Sequence, residues 1–234
     1  MKPPTATAGR ARVAAILFIA CACGWMVMEL EILGGRVLAP HFGSSVYVWG
    51  SVIGVFLLSL SVGYMLGGWL SHSRFSRRLL GIALMAAGAW LVAMPRFTDP
   101  VCEGIFRLVS DEKWGSLLAA LALFGVPTVL LGTVSPTAVR WLTHRASNSG
   151  LNAGLVLAVS TIASFAGCIV TAFYLVTLSI RHTIGISGVL LLALGGGVLA
   201  YALMHGEAKP PPAESEPERP ALGSRGHSAM ARKE

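Results

Sequence analysis

The stretch "VAAILFIACACGWMVMELEILGGRVLAPHFGSS" (Val13–Ser45) decides the fold. From Val13 to Met28 it carries no charge, and the apolar character continues to Leu33 around Glu29 and Glu31. A helix crosses a hydrocarbon core of about 30 Å with about 20 apolar residues. The segment therefore reads as a transmembrane helix, too long for a signal-peptide core. Its two carboxylates raise the functional question, because acids are expensive inside lipid and have a reason when present.

Working outward, the same length criterion gives Val46–Leu70, Leu79–Met94, Trp114–Val134, Leu151–Leu178 and Thr183–Met204. The whole chain of 234 residues is 54% hydrophobic and only 12% charged, against about a quarter charged in soluble domains. An ordinary soluble enzyme is excluded. The expectation is an all-α polytopic membrane protein of six spans. It divides into a short amino-terminal segment (1–12), a transmembrane domain (13–204) and a tail (205–234).

Charge sets the orientation. Lys2, Arg10, Arg12, Arg74, Arg77, Arg78, Arg140 and Arg145 fall on one side, while Arg36, Arg96, Arg107, Lys113 and Arg181 fall on the other. Basic residues favour the cytoplasm, so both termini are expected there, in a bacterial inner membrane. The tail holds five prolines and balanced charge, a composition that cannot offset its ordering entropy, so disorder is expected. The basic loops then meet the anionic lipid bilayer, and no nucleic acid is needed to explain a net charge of +7.

Small residues mark packed faces in lipid, where backbones must approach closely. Ser59, Gly63 and Gly67 in the second span and Ala163 and Gly167 in the fifth recur four apart. Pro127 and Pro136 predict kinks in the fourth span. Six spans with both ends on one side divide into a 3+3 inverted repeat, a layout of secondary transporters with sites near mid-membrane.

Candidate site residues follow. Glu29 and Glu31 project to different faces of a helix. Gly34-Gly35 offers a place for the helix to end, letting Arg36 fold back onto a carboxylate. The result is a structural charge pair, a cation-binding or proton-coupling acid at a cavity mouth, or plain exposure at the interface. Trp25, Tyr47 and Trp49 suit an interfacial aromatic belt or a cation–π wall, and Ser160 and Ser164 either pack or line a polar path. Cys21, Cys23, Cys102 and Cys168 show no metal-ligand spacing. No catalytic nucleophile–base pair or phosphate loop stands out, and His41, His72, His144 and His182 read as loop residues. No catalytic residue, metal or cofactor is expected.

Several segments in order resemble the membrane region of the fused major-facilitator/spermidine-synthase-like family. Glu31, Gly35, Arg36, Leu38, Ala39, Pro40, Phe42, Gly43, Ser44, Ser45, Tyr47 and Trp49 match its opening pattern, and "PTVLLGTVSPTAVR" (Pro127–Arg140) and "AGLVLAVSTIASFAG" (Ala153–Gly167) are similar to later segments. Leu155, Leu157, Ala163 and His72 depart from its usual residues. The resemblance implies a membrane module that binds or transports a small, polyamine-like cation, with Glu31 and Arg36 as its charged pair. It also implies no catalysis here, because no aminopropyltransferase-like Rossmann domain follows Met204; a half-size bundle is expected to form a homodimer to complete a pathway. The alternative is a non-catalytic anchor docking a separately encoded synthase-like enzyme or another membrane complex.

Overall fold

The computed structural model describes residues 6–73, 75–143 and 149–205. Lys2, Arg74, His144, Arg145 and residues 206–234 of the tail lie outside the described residues, as do the expectations that rest on them. Six helices are long and apolar enough to cross a membrane. They are α1 (Ala6–Phe42), α2 (Val46–Leu70), α3 (Ser76–Leu108), a composite fourth span, α7 (Ser149–Phe173) and α8 (Ile180–His205). The fourth comprises α4 (Glu112–Ala120), a π-helical turn (Leu121–Gly125), α5 (Val126–Gly132) and α6 (Val134–Leu142). No strand occurs among the described residues. The chain is an all-α, multi-pass membrane protein.

Two helices outrun their expected ends. α1 does not break at Gly34-Gly35 but continues to Phe42. The residue that stops it is Gly43, whose φ of +80° suits the left-handed position after a helix, with its N–H donating to the Ala39 carbonyl at 3.0 Å. Gly34 and Gly35 serve packing instead. A Cβ on Gly34 would stand 3.3 Å from the Phe124 ring, and one on Gly35 would stand 2.8 Å from the Trp49 ring. α3 likewise passes Pro95 and Pro100 to reach Leu108. Arg96, Asp99, Glu103 and Arg107 fall at helical spacing on this extension, giving it a polar face. His41 and His182 sit in helical end turns rather than loops.

The fourth span shows how a broken helix is satisfied in lipid. Pro127 cannot donate to the carbonyl four residues back, and that carbonyl, Leu123 O, accepts instead from Trp90 Nε1 at 2.9 Å. Below it, Thr133 Oγ1 donates to Leu130 O at 2.7 Å, and Thr137 Oγ1 donates to Thr133 O at 2.7 Å. Trp90 thus supplies the donor that Pro127 lacks and that lipid cannot provide. The π turn ends at Gly125, two residues before Pro127, which sits in the first turn of α5.

Three close helix pairs build the bundle. α1 runs parallel to α7, since Gly24 meets Ser160 and Trp25 meets Gly167. α2 runs parallel to the fourth span, since Gly63 meets Val129 and Gly67 meets Thr133. α3 runs antiparallel to α8, Gly81 meeting Leu199 and Gly88 meeting Leu192. Exchange of the first three spans for the last three converts the first pair into the second and returns the third to itself. The register agrees: Ser149 follows Val46 by 103 positions and Ile180 follows Ser76 by 104. The contact of Gly63 with Gly132 has its counterpart in that of Gly167 with Trp25. This is the layout of a 3+3 inverted repeat.

Candidate functional site

Glu29 is buried, with 3% of its surface exposed. It lies 13 positions before the end of α1 at Phe42, about 20 Å at 1.5 Å per residue. With the helix end expected at Leu33, the acid would lie one turn from that end; in the structure it lies well inside α1 and is buried in the bundle. Its Oε2 accepts from Trp25 Nε1 at 3.0 Å, one turn earlier on α1. Its Oε1 lies 2.5 Å from Ser187 Oγ on α8. Among the described residues, no Lys or Arg lies within ion-pair distance of it. A buried carboxylate is ordinarily paired with a cation or metal, so neutral donors alone make Glu29 the most unusual ionisable group in the described bundle.

Ser187 has a second partner, the Thr183 carbonyl at 3.1 Å. A hydroxyl has one proton to give, and the geometry provides for both charge states of the acid. A charged Glu29 accepts from Ser187. A protonated Glu29 donates to Ser187 Oγ, which then turns its proton to Thr183. The site can therefore gain or lose a proton, or exchange it for a cation, without orphaning a polar atom.

Two cavities lie along the α1·α8 interface, one toward each end. The amino-terminal face of the bundle carries the start of α1 and the end of α8, and its cavity of about 580 Å³ is mostly apolar. At the opposite face a cavity of about 430 Å³ is bordered by Arg36 and His41 of α1, Asp99 and Glu103 of α3, and Arg181 and Ile184 of α8. There Asp99 is shared, with His41 Nε2 at 3.5 Å and Arg181 in direct contact. Ile184 precedes Ser187 by one helical turn and Arg36 follows Glu29 by two, so the Glu29–Ser187 pair lies just beneath this second cavity. Cys23, Met26, Leu30 and Leu191, all buried, fill the neighbouring core.

The other expected site residues are dispersed. Glu31 is half-buried and Arg36 exposed on the cavity rim, and no ion pair joins them, because the unbroken helix keeps Arg36 from folding back. Trp49 lies over Gly35, and Tyr47 is exposed with Lys113 Nζ 4.7 Å from its ring centroid. Ser160 and Ser164 belong to the α1·α7 seam, where Ser164 Oγ donates to Gly24 O at 2.9 Å. Ser59, Gly63 and Gly67 face the fourth span, Ala163 is buried and Gly167 meets α1. Trp25 is expected as a belt or cation–π aromatic and not as a donor to Glu29, a role that its four-residue spacing signals; Ser187, 158 positions away, is absent from the expected set and leaves no signal.

Among the described residues no group of three or more His, Cys, Asp or Glu side chains is placed to hold a metal. Fold and site together define a polytopic helical membrane protein with a buried acid between two cavities. Compared with protein-family models, curated proteins and solved structures, the chain matches none.

Proposed function

We propose that this protein is a membrane module that binds and passes a small organic cation, with Glu29 as the anionic ligand. The observation that carries the reading is the burial of Glu29 among neutral donors, beneath a cavity that also presents Asp99 and Glu103. An ammonium entering from that cavity would supply the counter-charge the carboxylate lacks, and Ser187 would keep its hydroxyl proton on the charged Glu29 while the ligand is bound. The inverted-repeat layout and the broken fourth span are features of transporters that rock about a central site. The resemblance to the spermidine-synthase-like membrane family favours a polyamine-like cation and a module without chemistry of its own. In the sequence, eight Lys and Arg fall in the segments on the side of the termini against five on the other, the bias that favours cytoplasmic termini.

A second reading has one observation in its favour. Of the most apolar window of the fifth span only 17% is buried, against 61% in the fourth. Ile162, Phe165 and Phe173 are exposed there, a surface suited to a second copy or to a docked membrane subunit. Equilibrium binding of labelled putrescine to the purified chain tests the first reading. Saturable binding lost in Glu29→Gln supports it; the absence of saturable binding, with stable recovery of a partner subunit on purification, favours the second.

A further inference from the structure

The two halves of the inverted repeat share a layout but differ in how their seams close. The repeat relates α1 to the fourth span and α8 to α3, so the α1·α8 seam and the α3·fourth-span seam are images of each other. Leu194 follows Trp90 by 104 positions, and Leu123 follows Ile19 by 104. In the α3·fourth-span seam Trp90 Nε1 donates to Leu123 O at 2.9 Å. The same Trp90 ring meets the Phe97 ring edge-on, with centroids 5.5 Å apart. At the image positions, Leu194 and Ile19 both line the cavity of about 580 Å³. Ala119 and Ala15, a further pair 104 apart, differ in the same way. Ala119 is fully buried, whereas Ala15 is exposed and lines the cavity. One seam is latched where its image gapes.

Two halves of like fold can hold these seams in either assignment, and rocking of one repeat against the other exchanges them. We propose that the protein alternates between this state and a second one. In the second, the α1·α8 seam closes at Leu194 and Ile19, and the α3·fourth-span seam parts at Trp90 and Leu123. The cavity then leaves the amino-terminal face, and its image opens toward the opposite face. Trp90 is the latch of the present state. On its release Leu123 O loses a donor, and water in the opened cavity satisfies it, as non-helical backbone groups at membrane depth require. The inference concerns how the bundle moves and is independent of what Glu29 binds.

Thiol labelling of the full chain in nanodiscs tests it. Cys21 and Cys168, the two half-buried thiols, are replaced by alanine, while Cys23 and Cys102 stay because they are buried. Ala15→Cys then reports the open seam and Ala119→Cys the latched one, each by its rate of reaction with a small water-soluble maleimide. Ala15→Cys is expected to react the faster. Trp90→Leu gives the latched seam the residue of its image, and Leu194→Trp gives the open seam a latch. Each should slow labelling of Ala15→Cys and speed that of Ala119→Cys by at least about 3-fold, the worth of an average interhelical hydrogen bond. The effect of Leu194→Trp on Ala119→Cys is decisive, because an indole that merely fills the cavity changes nothing in the image seam. Circular dichroism and thermal unfolding verify folding, and Leu194→Trp, which enters open space, decides if Trp90→Leu does not fold. If the thiol variants do not fold, hydrogen exchange of Leu194→Trp against wild type reads the same seams. Protection should rise over residues 11–19 and fall over 114–123. Faster labelling of Ala119→Cys in Trp90→Leu without slower labelling of Ala15→Cys would be local loosening, and overturns the proposal. So does slower labelling of Ala15→Cys in Leu194→Trp with Ala119→Cys unchanged, or unchanged rates at both positions.

Discussion

Ser187 Oγ and Glu29 Oε1 stand 2.5 Å apart, joining α8 to α1 across 158 positions of sequence. The contact ties the first span to the last, and so one half of the inverted repeat to the other. Its energetic worth is bounded: interhelical hydrogen bonds in membranes average about 0.6 kcal/mol and reach about 1.7.

Glu29→Gln should fold as well as wild type, within about 0.5 kcal/mol, the range of substitutions that break no named interaction. The amide oxygen accepts from Trp25, and the amide nitrogen donates to Ser187, which turns to Thr183. Glu29→Leu leaves the Trp25 N–H without its acceptor and should lose about 1–3 kcal/mol. Thermal unfolding in one detergent, monitored by circular dichroism, separates the two.

The antiparallel α3·α8 seam should be intolerant of bulk. A Cβ at Gly88 would stand 2.7 Å from the Gly188 carbonyl oxygen, whereas one at Gly104 meets nothing within 4 Å. Gly88→Val is expected to destabilise by about 1–3 kcal/mol through overpacking. Gly104→Ala, open and within α3, should be neutral or stabilising by up to about 1 kcal/mol. The same unfolding assay checks both.

Trp90 and Pro127 should couple. Trp90→Phe removes the donor to Leu123 O and should cost about 1–3 kcal/mol by leaving that carbonyl unsatisfied. Pro127→Ala restores a backbone N–H able to reach the same carbonyl, so the double variant should lose less than the sum of the singles by at least about 0.5 kcal/mol. Strict additivity would show that the two share no partner.

At the opposite face, Asp99→Asn removes the charge shared by His41 and Arg181. Asp99 is 47% exposed in its side chain, and exposed pairs contribute about 0–1 kcal/mol. Stability should therefore change little. Cation affinity should fall measurably, and by less at high salt, as screening would have it. A titration of putrescine binding at two ionic strengths reads this.

Six spans were legible because length and hydropathy are local properties, and α2 coincides with its expected bounds at Val46 and Leu70. The small residues were legible too, because close approach in lipid leaves few alternatives to Gly, Ala and Ser. Helix ends were less so. Gly34-Gly35 and Pro95 carry the same symbols as helix breakers, and only the rings packed on the glycines, or the polar turns continuing past the proline, reveal that the helix goes on. The acid most deeply engaged was obscured for the same reason. Taking α1 to end at Leu33 put Glu29 near the helix end and let Arg36 fold back onto a carboxylate. Once α1 runs to Phe42, Glu29 is buried well inside the helix and Arg36 stands on a rim. Ser187 could not be assigned from sequence, since its role depends on which helix faces α1.

Proteoliposome uptake of labelled putrescine by wild type, Glu29→Gln and Glu31→Gln tests the central claim most directly. The expected result is uptake by wild type above empty vesicles, near-complete loss in Glu29→Gln, and retention in Glu31→Gln, with all three equally folded. Uptake by Glu29→Gln equal to wild type, or loss confined to Glu31→Gln, would contradict Glu29 as the cation ligand. A wild type no better than empty vesicles would contradict cation transport itself.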